Sequence, residues 1–183
     1  MTAESFLVFL DANVLARPVT RTLLLLSGPP SGFAPVWSAT VEAEADRHLR
    51  PRQKPVAELR PGWGTALTPT GSNAVVFAAT SPNDRQVLAD AAAAGALFLV
   101  TDNVADFAAT DLARAGIAAV GPDLFLSERT TRAGYREAIE WLSTHMTSPR
   151  LTAHHRTFTR RSADGTRACT AGTQTRTQGQ QAQ

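Results

Sequence analysis

The sequence predicts an α/β fold, a central parallel β-sheet flanked by helices. Three observations carry that expectation. Residues 6–10 (FLVFL) and 96–101 (ALFLVT) are continuous apolar runs rather than alternating ones, as strands buried on both faces require. Each run is closed by an aspartate, Asp11 and Asp102. Strand-like and helix-like segments alternate along the chain, the pattern of crossover units in a parallel sheet.

The elements follow in order. After the strand at 6–10, helical sequence runs from about Val19 to Ser27, with Pro18 tolerable in its first turn and Gly28-Pro29-Pro30 as its stop. Residues 34–37 read as a second short strand. Ser38 or Thr40 can cap the helix that runs to about Leu49, before Pro51. Residues 51–74 are rich in proline and glycine and predict loops, with one short helix at Val56–Leu59. Residues 75–78 suggest a short strand. Asn83-Asp84 opens an alanine-rich helix, 84–94, ended by Gly95. The strand at 96–101 follows, then a helix near 110–115, a strand at 117–120, and helices at 122–127 and 131–146.

Composition bounds the function. The chain has 183 residues, 43% of them apolar and 19% charged, enough for one domain with a real core. No apolar run approaches the roughly 18 residues of a membrane span. Glu4 stands where a secretory signal carries basic residues. A cytoplasmic protein with no membrane partner is the expectation. The single cysteine, Cys169, excludes an internal disulfide and a cysteine-based zinc site. Charge divides unevenly. Residues 1–146 hold twelve basic and fifteen acidic side chains, whereas residues 147–183 hold six arginines and one aspartate. That last segment also has nine threonines and five glutamines, with Leu151 and Phe158 as its only large apolar residues. It predicts a disordered basic tail.

The acids sit where chemistry is expected. Right-handed crossovers place all strand carboxyl ends on one edge, where ligands bind. Asp11 ends the first buried strand; Asp102, Asn103 and Asp106 follow the other; Asp84 opens the helix leading into it; Glu42 and Glu44 lie on the helix after the second strand. Carboxylates gathered at one edge repel unless a cation neutralises them, and all-oxygen ligation suits Mg²⁺ or Mn²⁺. Such ions can activate water for phosphodiester hydrolysis. Glu42 and Glu44 stand about 200° apart on a helix, so only one can face the site. Helix arithmetic does not choose between them.

Four stretches carry a family resemblance. FLDANVL at 9–15 and WSATVEAEADRHL at 37–49 resemble the first two motifs of PIN-domain ribonucleases. SPNDRQVLADAAAAGALFLVTDNVADF at 81–107 resembles the third and fourth, in the form of the VapC-like branch, and GPDLFL at 121–126 resembles the segment after the last strand. The resemblance spans residues 6–146. It implies a PIN-like three-layer fold and a Mg²⁺-dependent endoribonuclease with Mn²⁺ as a possible substitute. It implies the toxin of a type II toxin–antitoxin pair, a homodimer, and an antitoxin covering the acidic groove. Carried over residue by residue, Asp11, Glu44, Asp84 and Asp106 match the acids that hold metal and serve catalysis. Asn103 stands where many PIN domains have aspartate and would support the shell. Asp102 is an extra acid beside it.

Plainer roles compete at each position. Asp11 could bond its own turn and Asp84 could cap a helix. Ser38 and Thr101 could orient carboxylates or water, or serve as caps. Asp90 and Asp111 read as surface residues. Arg47, Arg50, Arg52 and Lys54 follow the glutamate helix and could contact RNA phosphates, or stand solvated at a helix end. The rival to the nuclease is a catalytically silent PIN-like module that binds RNA or protein.

Overall fold

The computed structural model describes residues 5–63 and 67–145 of the chain. The basic tail at 147–183 lies outside the described residues. Five strands form one all-parallel sheet in the order β3-β2-β1-β4-β5, flanked by helices. This is the α/β architecture expected, and it is consistent with a PIN-like three-layer fold. The strands are β1 (Phe6–Leu10), β2 (Phe33–Ser38), β3 (Leu67–Thr68), β4 (Phe98–Val100) and β5 (Ala118–Val120). Contacts divide the chain after Trp141. Beyond that point only the end of the last helix, to His145, is described.

β1 lies at the centre because it can be covered on both faces. Val8, Phe9 and Leu10 are all fully buried, each burial contributing roughly 1.5–3 kcal/mol. β2 pairs along one side of it (Phe6 with Phe33, Phe9 with Val36) and β4 along the other (Val8 with Phe98, Leu10 with Val100). The chain therefore winds outward through β2 and β3, returns, and winds outward again through β4 and β5. The reversal falls between β1 and β4, where the strand ends part and leave a crevice.

The two ends of the sheet are unlike. At the amino-terminal edge Phe6, Phe33, Phe98 and Phe125 form an aromatic cluster, with Phe33 and Phe125 edge to face at 5.1 Å. The carboxyl edge carries polar residues: Asp11, Ser38 and Thr101, each buried.

Helices α1 (Ala12–Leu15) and α2 (Pro18–Ser31) follow β1; α3 (Ala39–Arg47) follows β2 and packs against α1; α4 is Val56–Leu59. The remaining helices are α5 (Arg85–Ala93), α6 (Ala109–Ala115), α7 (Pro122–Arg129) and α8 (Arg132–His145). Several expectations need correction. α2 runs through Gly28-Pro29-Pro30 and stops at Gly32, whose left-handed φ of 80° lets its N–H reach back to the carbonyls of Gly28 and Pro29. Residues 74–76 form a 3₁₀ turn, not a strand. β3, not this segment, takes the outer side of β2, and Val75 is left 81% exposed.

Asp90 and Asp111 are buried rather than on the surface. Residues 69–83 have no ladder to satisfy their backbone, and these two carboxylates replace it. Asp111 Oδ2 accepts the N–H groups of Ala79 (2.9 Å) and Thr80 (2.8 Å). Asp90 Oδ1 accepts the Gly71 N–H at 2.8 Å, and Gln86 donates to both the Gly71 carbonyl and Asp90. Gly71 lies so close to α5 that a Cβ there would run into the Ala89 carbonyl and methyl. Gly71→Ala is therefore expected to cost about 1–3 kcal/mol in urea melts. Gly62→Ala, which meets open space, is the control and should shift the midpoint little.

Candidate active site

Asp11 sits at the reversal point of the sheet, 5% exposed. Its backbone N–H still belongs to the sheet, donating to the Val100 carbonyl at 3.1 Å. Its side chain starts α1 by accepting from the Ala12 N–H at Oδ1 (2.6 Å). Oδ2 accepts from the Thr101 hydroxyl (2.7 Å) and the Asn13 side-chain amide (2.8 Å). An ionised carboxylate offers about four lone-pair sites. Three are taken here, which fixes the group and leaves one on Oδ1.

Thr101, the residue after β4, has no spare capacity. It donates to Asp11 and accepts from Asn13 and from the Asn103 N–H, both at 3.1 Å. Asn13 closes the circuit: its side-chain carbonyl takes the Asp102 N–H at 3.2 Å. The loops after β1 and β4 are thus tied by side chains where their ladder ends.

The second pair of acids is set by backbone stitching. Ser81 donates its N–H to the Asp106 carbonyl at 2.9 Å, and Asp84 donates its N–H to the Ser81 carbonyl at 2.9 Å. The turn before α5 is thereby joined to the 3₁₀ turn Val104–Asp106. Asp84 stands at the helix start but makes no side-chain capping bond. Its carboxylate accepts from Ser81 instead.

Glu42 and Glu44 part as the helix geometry requires. Glu42 is buried and committed, its Oε2 accepting from Trp37 Nε1 and from Arg60, each at 2.9 Å. Glu44 is half-buried, and its charge bears on both Asp11 and Asp84. Ser38 is buried and caps α3 through the Val41 N–H. Arg47, Arg50, Arg52 and Lys54 are all exposed, at the end of α3 and in the turn beyond it. Asp102 is paired with Arg17 at 2.9 Å.

Electrostatics link the four acids. Burial pushes the Asp11 carboxyl above its ordinary value of 3.8, and the charges of Asp84 and Glu44 push it further. The Thr101 hydroxyl and the Ala12 N–H pull it back. Asp84 is likewise raised by burial, lowered by the Ser81 hydroxyl, and raised again by Asp106 and Glu44. Among the described residues, no three His, Cys, Asp or Glu side chains stand close enough to grip one ion directly. The donors are nonetheless all oxygen, and they repel one another. That chemistry fits a cation such as Mg²⁺, which holds one or two carboxylates directly and reaches the rest through its own waters.

Sequence reasoning passed over three residues of this site. Asn13 was visible as a possible turn residue, two places after Asp11. Ser81 carried no signal beyond its place in the 81–107 stretch. Arg17 carried none. Comparison with known protein families, curated proteins and solved structures finds no match for this chain. Among the described residues, no helix is long and apolar enough to cross a membrane.

The raised carboxyls have a consequence for stability. A group whose folded-state pKa lies above its unfolded value stabilises fully below pH 3.8 and loses that contribution as pH rises through its folded value. At pH 7, without metal, the Asp84 carboxylate is therefore a net burden. Asp84→Asn in EDTA should raise the melting temperature at pH 7 by ~1–3 °C and leave it unchanged near pH 3.5. Thermal melts at the two pH values check this.

Proposed function

We propose that this chain is a Mg²⁺-dependent endoribonuclease. The observation that carries the reading is the convergence of Asp11, Glu44, Asp84 and Asp106. They come from four separate segments around the reversal point of a parallel sheet, and beyond the effect of burial the charges of Asp84 and Glu44 bear on Asp11 and those of Asp106 and Glu44 on Asp84. Structural acids in this protein behave differently: Glu42, Asp90 and Asp111 are buried against N–H donors. What sets Asp11 and Asp84 apart is not a lack of donors but the charge of neighbouring acids, which pushes both carboxyls further up, as at a site kept for a function.

In this reading the four acids hold Mg²⁺. When bound, the ion supplies a water of lowered pKa and positive charge to offset the scissile phosphate. The chain's own part is positioning. Thr101, Asn13 and the Ala12 N–H hold Asp11 in one rotamer with a single lone-pair site turned outward. The Ser81 hydroxyl draws the raised Asp84 carboxyl back toward its ordinary value. The Ser81–Asp106 backbone bond fixes the distance between the loops that carry Asp84 and Asp106. Asn103, exposed after Thr101, is placed to hydrogen-bond water or substrate. The exposed basic turn from Arg47 to Lys54 offers sequence-independent contact with RNA phosphates. The VapC-like resemblance extends the proposal to a homodimeric toxin held silent by an antitoxin over the acidic groove.

The test is cleavage of total cellular RNA by protein freed of any co-purified partner. Discrete fragments are expected with Mg²⁺ and none with EDTA. Asp11→Ala abolishes them, and so does Asp84→Asn. The second variant matters because it is expected to be more stable than wild type, so its inactivity cannot come from misfolding. Thr101→Val, which removes the hydroxyl orienting Asp11, should lower the rate about 10–100-fold. Folded protein that leaves RNA intact in millimolar Mg²⁺ would overturn the reading in favour of a silent binding module.

A further inference from the structure

Arg17 lies between α1 and α2 and makes no capping bond with its side chain. Its guanidinium crosses instead to the loop after β4. It grips Asp102 with both terminal nitrogens, Nη1 to Oδ1 at 3.0 Å and Nη2 to Oδ2 at 2.9 Å. That loop belongs to the acidic edge, because Asn13 bonds both the Asp102 N–H and the Asp11 carboxylate. The Arg17 side chain is 58% exposed and that of Asp102 22%. A guanidinium carries five N–H donors, and this pair uses two.

Arg60 and Arg85 are spent inward by contrast. Arg60 is bound to buried Glu42. Arg85 donates to the carbonyls of Thr80 and Ala78, fixing the turn before α5. Arg17 is held only by the Asp102 carboxylate, and its own side chain is more than half exposed, so solvent screens the pair.

Resting on the nuclease reading above, we infer that Arg17 is a substrate-binding residue that takes up a phosphate of the RNA strand, and that Asp102 parks it until the strand arrives. An RNA backbone approaching Asp11, Glu44, Asp84 and Asp106 meets concentrated negative charge. A divalent ion offsets that charge at the scissile phosphate, and the neighbouring phosphate needs its own cation. The planar fork that fits a carboxylate in two parallel bonds fits a phosphate in the same way. Arg17 can therefore exchange one partner for the other by side-chain rotation alone. Asp102, whose contribution to the site was unassigned from sequence, thereby acquires one: it holds Arg17 at the edge in a bidentate grip.

The experiment is the total-RNA cleavage assay, run across RNA concentration and across 25–200 mM KCl with Mg²⁺ present. Arg17→Gln should raise KM about tenfold with little change in kcat, as loss of uniform binding does. It should also flatten the dependence of log KM on log salt by ~1, the signature of one lost phosphate contact. Arg17→Lys should keep the salt dependence and recover part of KM. Asp102→Asn cuts the same ion pair from the other side, and it should lower KM by releasing Arg17. If Arg17 merely ties two loops together, Arg17→Gln and Asp102→Asn will weaken the protein alike. Equal effects of the two variants, or a KM and salt slope for Arg17→Gln equal to wild type, overturn the inference while the nuclease reading stands. Wild-type protein inert toward RNA overturns both.

Discussion

The pairing of β1 with β4 is the constraint on which the rest depends. Both strands are short, apolar and parallel, so each delivers its following residue to the same edge. Asp11 and Thr101 arrive there as neighbours, and the hydroxyl-to-carboxylate bond between them continues the connection where the ladder stops. The loops after the two strands are tied together around that join. Asn13 braces it from one side and the Asn103 N–H from the other. Because β1 is also the central strand, covered on both faces, the anchor of the site follows directly on the fully buried Val8, Phe9 and Leu10.

Two populations of acid divide the work. Glu42, Asp90 and Asp111 are buried and hydrogen-bonded, and they substitute for missing backbone ladders or fix a helix to its neighbour. Asp11, Glu44, Asp84 and Asp106 are held close enough for their charges to act on one another. The first group stabilises the fold; in the absence of a cation, burial and neighbouring charge disfavour the ionised forms of Asp11 and Asp84. The proposed metal would reverse that sign, since any ligand bound by the folded state alone adds to its stability.

What the sequence discloses follows from how local each signal is. β1 and β4 were legible because a run of large apolar residues closed by aspartate has few other meanings. β3 and α1, of two and four residues, are too short to show a period. Val75 and Val76 looked like a strand by composition, yet an apolar run marks burial only where a partner surface exists. Glu42 and Glu44 could not be separated by helix arithmetic. Their separation depends on Trp37 and on Arg60, eighteen residues away, and the PIN-like register chose Glu44. Asp90 and Asp111 were misread because their partners are backbone N–H groups in an irregular loop, which leave no mark in the side-chain pattern. Arg17 was invisible for a similar reason, its partner being eighty-five positions distant.

The central strand has to wait for its second neighbour. Val8 pairs with Phe98, and Thr101 meets Asp11 across a separation of ninety residues. Bringing such distant segments together carries a loop-closure cost that local helices do not bear, and it slows folding. During synthesis the chain displays Asp11 and Glu44 long before β4 exists to complete the edge. A half-made polypeptide, with Asp84 also in place, thus carries three of the four acids before the edge that gathers them exists. Whatever this edge does to its target, it is withheld from the ribosome-bound chain until the fourth strand has emerged and docked.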